Sequence, residues 1–254
     1  IVSILKLAVL AFPWIGIQSI WQAEFSSTTP YLQQLGLSAF WSSNIWISGP
    51  IAGFLVAPVI GSLSDATTSV LGRRRPWMLG GLLFLGFVSM MLASSNKIFP
   101  GEENKPKALA VAATFFCLMD GSINIIQTPT RAFIADMAPP SKQLTGQLLA
   151  SMFQGLGALL GFGLHKHLYK DSSDVFCLFT TVFLVNVAVF VPVCAYVTET
   201  PLKKLEEKVS ICKPFTNVFT NIGKMSLSLL KIGLVQVFSW IALFSYWPIA
   251  STWM

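Results

Sequence analysis

Seven apolar stretches in this 254-residue chain are each long enough to cross a bilayer, for which about 20 residues suffice. They run approximately over 4–26, 40–62, 77–95, 108–130, 143–165, 175–197 and 227–250. Inside hydrocarbon every backbone N–H and C=O must be paired within the protein, which leaves only helices or a closed barrel. A barrel strand would show about ten residues of strict alternation, and these runs are longer and unbroken. The expectation is an all-α membrane protein. Composition agrees: 54% of residues are hydrophobic and 11% charged, about half the charged share of a soluble domain.

Charge placement sets an expected topology. With the amino terminus inside, one side holds Lys6, Arg73, Arg74, Arg75, Arg131, Lys142, Lys203, Lys204, Lys208, Lys213 and Lys224. The other holds Lys97, Lys105, Lys107, Lys166 and Lys170, with Lys231 at the start of the last span. Eleven against five favours a cytoplasmic amino terminus. The net charge of +6 is thereby a topological bias, and nothing else in the chain points to nucleic acid. Cys117, Cys177, Cys194 and Cys212 lack CxxC spacing, and three lie within spans, which argues against a disulfide framework or zinc site. His165 and His167 read as a solvated loop at the outer side, not a metal site.

Connections are short apart from residues 198–226, whose Glu199-Thr-Pro-Leu-Lys-Lys-Leu-Glu-Glu-Lys208 is strongly charged. Residues 1–197 are therefore expected to form a six-helix bundle, 198–226 a cytoplasmic linker with helical pattern at 202–208, and 227–254 the first helix of a second block. The chain opens Ile1-Val2 and stops within an apolar run at Trp253-Met254, so it is expected to be a piece of a longer protein. Pro13, Pro50, Pro58, Pro129 and Pro192 sit within or beside spans as candidate kinks. Gly155, Gly157, Gly161 and Gly163 permit a close helix–helix approach in the fifth span.

Ionisable groups in a bilayer are costly and are functional candidates by default. Asp120 lies near the centre of the fourth span and Arg131 eleven residues later. Eleven steps of about 100° return to within about 20° of the starting face. Asp120, Asn124, Gln127 and Arg131 thus form one polar stripe pointing at a cavity or at other helices. A mid-bilayer carboxyl suits proton binding, because leaving water disfavours its charged form. It can also accept hydrogen bonds from sugar hydroxyls. Glu24, near the outer end of the first span, has Gln18, Trp21 and Gln22 as polar and aromatic company.

Four blocks resemble the sucrose-transporter branch of the glycoside–pentoside–hexuronide family, within the major facilitator superfamily. They are Gln22–Gly36 with its Thr29-Pro30-Tyr31, the loop Gly61–Trp77, the run from Asp120 through Gln127, Pro129, Arg131 and Asp136, and Ser239–Trp247. The resemblance implies the first six helices of that fold plus helix 7. It implies proton-coupled transport of sucrose or a related sugar by alternating access, with the proton as coupling ion and no cofactor. Asp120 would be the proton and sugar site and Arg131 its charge partner. Gly61, Asp65, Gly72, Arg73, Arg74, Arg75 and Asp136 would belong to a cytoplasmic gate. Alternatives are a sugar sensor or scaffold on the same fold and a sodium-coupled glycoside carrier. The family pattern has basic residues where this loop has Ala66 and Val70, and plant members have a histidine where this chain has Ser38-Ala39-Phe40. The expected partners are a sugar and the bilayer of the plasma membrane or an organelle.

Overall fold

The computed structural model describes residues 3–169, 175–199, 201, 215, 216, 220 and 223–253, the last ten of these as backbone only. The helical pattern expected at 202–208 lies outside the described residues. The described elements are helical: α1 Ile4–Ala11, α2 Pro13–Gln34, α3 Ala39–Asn44, α4 Ser48–Asp65, α5 Arg75–Ile98, α6 Lys105–Met137, α7 Gln143–Leu168, α8 Val175–Tyr196 and α9 Leu227–Trp253. Six segments through Tyr196 are long and apolar enough to span a membrane. In α9 the described apolar stretch is Leu227–Leu243.

Local chemistry explains the boundaries. The first span is two helices, because Pro13 brings no N–H and the ladder stops at Phe12, then restarts with proline in its first turn. Ser3 caps α1 by accepting from the Lys6 N–H at 3.2 Å. α2 ends in a Schellman turn: Leu37 N–H reaches Leu32 C=O at 3.0 Å and Gly36 N–H reaches Gln33 C=O at 3.0 Å. Gly36 takes φ = 102° there, a conformation that suits glycine. Most helices overrun their apolar stretches into flanking polar sequence; α6, for example, extends to Met137 where the apolar run stops near 130.

α2 is the hub and packs on α7, α8 and α6, while α6 also packs on α5 and α4. Small residues set the spacing. A Cβ on Gly161 would stand 2.7 Å from Gln22 Cβ and 2.8 Å from the Ser19 carbonyl, and one on Gly157 would stand 2.9 Å from Gln18 Cβ. Of the four glycines expected to permit close approach, these two do so; Gly155 and Gly163 face open space. Buried hydroxyls return to their own helix, as Ser26 does to Gln22 C=O at 2.7 Å and Thr130 to Ile126 C=O at 2.8 Å. Leu144, Leu148, Met152, Leu156 and Leu159 of α7 remain exposed, a stripe compatible with lipid or another protein surface and not with water.

A branched side chain at Gly157 is therefore expected to force α7 off α2. Gly157→Val should cost about 1–3 kcal/mol, read as a lowered thermal unfolding temperature in detergent, whereas Gly155→Val should leave it unchanged.

Candidate functional site

Two separate polar arrangements and one cavity emerge from this packing. Trp14, Gln18, Trp21 and Phe25 recur along α2 at steps of four, three and four, so they share a face. Asn124, Gln127 and Arg131 do the same on α6. The two stripes meet Gly49 and Gly53 of α4, Gln154 of α7, and Gln236 and Trp240 of α9 around a cavity of about 850 Å³. Its size falls within the roughly 300–1,000 Å³ of small-molecule sites. Trp21 Nε1–H donates to Gln127 Oε1 at 3.1 Å, fixing that side chain against α2. The Arg131 guanidinium stands 5.6 Å from the centroid of the Trp14 ring, within cation–π range. Among the described residues Arg131 is the one charged side chain in the lining.

Asp120, expected to head this stripe, is instead sealed behind it. It is fully buried, does not line the cavity, and accepts a hydrogen bond from the Ser48 hydroxyl of α4. Gly49 of α4 lies against it: a Cβ there would make an ordinary contact at 3.4 Å with Asp120 Oδ1. Asn124 Nδ2 donates to the Asp120 backbone carbonyl at 2.9 Å, tying two members of the stripe locally. The structure does not bring Asp120 and Arg131 together; eleven residues of helix separate them by about 16 Å of rise. Glu24 is also fully buried and outside the lining. Gln22 corrects the sequence reading as well. Two residues from Glu24 it lies on a different face of α2, packed on Gly161 of α7 and away from the cavity.

The loop from 66 to 74 builds the second arrangement. Arg74 is buried and its guanidinium donates to Asp136 Oδ2 at 2.8 Å, to Ser64 Oγ at 2.6 Å, and to Asp65. Arg73 adds a second ion pair to Asp136 at 3.1 Å. One side chain thus joins the ends of α4, α5 and α6. Arg75 turns away and donates to the Cys194 carbonyl of α8 at 2.7 Å. Gly61 does not join the cluster; it packs α4 on Thr128 of α6. Gly72 has φ = 101° and lies beneath Glu199, which accepts from the Arg74 N–H at 2.9 Å and the Arg75 N–H at 3.2 Å. The bundle's contacts therefore reach two residues past 197, into the segment expected to begin a linker.

Trp14, Gln154 and Gln236 are not singled out in the sequence, while Trp240 enters there only within the block Ser239–Trp247 and Glu199 only at the head of the charged run after 197. Trp14 was detectable as the next step of the Gln18–Trp21–Phe25 periodicity. Glu199 had no local signal, since its partners are more than a hundred residues earlier. His165, expected in a loop, occupies the last turn of α7 and stacks on Tyr169 with ring centroids 4.9 Å apart. Among the described residues no group of three metal-ligating side chains gathers.

Comparison with known proteins follows this geometry. The sequence profile of the Major Facilitator Superfamily matches residues 51–253. A general alpha-glucoside permease of Schizosaccharomyces pombe is 32% identical over 262 aligned positions, covering 96% of this chain and 47% of that protein. A sucrose transport protein of Arabidopsis thaliana is 36% identical over 160 positions, covering 58% of this chain and 27% of that protein. One from Oryza sativa is 29% identical over 269 positions, covering 94% and 50%. The chain thus spans about half the length of the relatives it matches end to end.

Removing the buried guanidinium should be costly, because Asp136 and Ser64 lose their partner together. Arg74→Ala is expected to lower stability by roughly 3 kcal/mol, and Arg74→Lys to recover only part of it because lysine lacks the planar fork. Arg73→Ala, at a more exposed pair, should cost under about 1 kcal/mol. Thermal unfolding of the three variants checks the order.

Proposed function

The chain belongs to the Major Facilitator Superfamily as a sucrose-transporter-like member, and from that premise we propose that it carries sucrose or a related glucoside across a membrane, coupled to proton movement, by alternating access. The observation that carries this reading is a cavity walled by amides, tryptophans and a single guanidinium, with a sealed carboxyl directly behind it. Amide side chains offer both donors and acceptors, matching the mixed demand of sugar hydroxyls. Indole faces match the apolar faces of a pyranose ring. Asn124, Gln127, Gln18 and Trp21 hold the sugar in this scheme, and Arg131, steadied by Trp14, is a fixed donor to its oxygens.

Asp120 is the proton site. Sealed from the cavity, it senses sugar through α4 and α6 and not by direct contact. Its Ser48 bond crosses between those helices. The Arg73–Arg74–Asp65–Asp136 cluster braces the helix ends on one side, and the eleven-to-five lysine and arginine bias supports a cytoplasmic reading of that side. Opening toward the cytoplasm requires the halves of the full protein to part there. The protein is multi-pass, in the plasma membrane or an organelle membrane.

The test uses the full-length protein in liposomes with an imposed proton gradient and labelled sucrose, maltose and glucose. Wild type should accumulate at least one of these above equilibrium. Asp120→Asn should reduce accumulation to the equilibrium level, at least a tenfold loss, while gradient-free sugar exchange persists. Uphill uptake retained in Asp120→Asn would sink the assignment. Sugar binding without any flux would favour a sensor on the same fold.

A further inference from the structure

Two amides on the cavity wall are turned by partners that can each play only one part. An indole N–H donates and never accepts; a backbone carbonyl accepts and never donates. Trp21 Nε1–H reaches Gln127 Oε1 at 3.1 Å. The carbonyl end of that amide therefore points at Trp21, and its Nε2 hydrogens point away. Asn124 is held in the opposite sense, because its Nδ2 donates to the Asp120 backbone carbonyl at 2.9 Å. Its Oδ1 is the free end and faces α4, where a Cβ on Gly53 would stand 3.8 Å from it. Gly53, Asn124 and Gln127 all line the cavity.

The indole that sets Gln127 is itself anchored. Its ring stacks on Phe25 at 5.5 Å, Phe25 stacks on Trp46 at 5.0 Å, and Trp46 Nε1–H donates to Thr29 Oγ1 at 3.0 Å. By contrast, Gln18 and Gln154 have no hydrogen bond among the described residues, so their amides can turn to suit either demand. Further along α6, the Arg131 guanidinium carries donors only. It stands over Trp14, whose buried Nε1–H has no partner among the described residues. Asn124 and Gln127 are about 4.5 Å of rise apart, and Arg131 lies about 6 Å beyond. Along α6 the wall thus runs acceptor, donor, donor.

We propose that this fixed order sets which way round a glucoside lies in the cavity. A sugar hydroxyl donates to Asn124 Oδ1, sugar oxygens accept from Gln127 Nε2 and Arg131, and Trp21 is the positioning residue that keeps Gln127 donating. The proposal rests on the sugar-binding part of the reading above and deepens it, since amides free to turn would take the sugar in either direction. Ring and glycosidic oxygens carry no hydrogen and can only accept, so they belong at the Gln127–Arg131 end. A sugar turned end for end would set such an oxygen against Asn124 Oδ1, leaving two acceptors facing each other unpaired. Proton coupling plays no part in this step.

The experiment measures binding of labelled sucrose and maltose to the purified full-length protein, without a proton gradient. Trp21→Phe keeps a ring in the stack and loses the N–H; the dissociation constant should rise about fivefold, the size of one neutral hydrogen bond. Gln127→Glu, once ionised, still accepts from Trp21 but has no hydrogen to give, and should weaken binding by about tenfold or more. The double variant should bind no worse than Gln127→Glu alone, because Trp21 acts through that side chain. Fluorine in place of single hydroxyls of the same disaccharide accepts weakly and cannot donate. It should weaken binding to wild type at one position and make no difference there in Asn124→Ala. Wild-type affinity in Gln127→Glu would reduce the Trp21 bond to a tie between helices and overturn the proposal. So would wild-type affinity in Trp21→Phe, losses that multiply in the double variant, or identical fluorine penalties in wild type and Asn124→Ala. Should Trp21→Phe fail to fold, Gln127→Glu decides alone. Wild type that binds neither sugar would overturn the sugar reading itself, and the orientation with it.

Discussion

Hydrocarbon offers no hydrogen bonds, and every feature of this bundle answers to that. Helices pair the backbone with itself. Buried serines and threonines bond to carbonyls one turn back. What remains must be brought together by helix–helix contact, and the close seating of α7 on α2 through Gly157 and Gly161 sets the position of the central helix. Because α2 is fixed on one side by α7, its opposite face presents Trp21, Glu24, Phe25 and Thr28 to α6 at a defined depth. The cavity and the buried acids both depend on that register.

The resulting division of labour is physical as well as spatial. Groups that can satisfy themselves with a polar ligand or water, the amides and Arg131, face the cavity. Groups that would attract water strongly, Glu24 and Asp120, are enclosed. A ligand shifts a conformational equilibrium only through a difference in its contacts between states. In the proposed cycle, sugar in the cavity and a proton on Asp120 act on the same element. α6 carries both sets of residues, with Asp120 and Asn124 joined across a single turn, and Ser48 extends that linkage to α4.

Periodicity made much of this legible in the sequence. The six spans through 197, the glycines of α7 and the stripe from Asn124 to Arg131 all follow from length and a 3.6-residue repeat. Where sequence and structure differ, neighbours in sequence are not neighbours in space. Gln22 follows Trp21 directly, yet one residue turns about 100° on a helix and sets it against Gly161 of α7. Asp120 belongs to the stripe by angle, yet it lies deep against Ser48 and Gly49 of α4, and no single-helix pattern encodes depth. The contacts of Glu199 have no sequence signal, since only the folded loop, with Gly72 at φ = 101°, creates the N–H pair it accepts from.

The arginine cluster bears on where movement can occur. Arg74 holds the ends of α4, α5 and α6 together, and Glu199 fastens the intervening loop to the end of α8. Sliding any one of those helices past the others would strand a buried guanidinium or a pair of acceptors, at a cost of several kcal/mol. α9 takes no part in that cluster. Its contacts run to α2 and α3, and its described side chains through Leu243 are exposed. Moving α9 against the bundle breaks none of these ionic contacts and changes the cavity directly, because Gln236 and Trp240 form part of its wall. For the proposed transport cycle, the lower-energy motion is therefore between the bundle and α9, with α4, α5, α6 and the end of α8 moving as a braced unit.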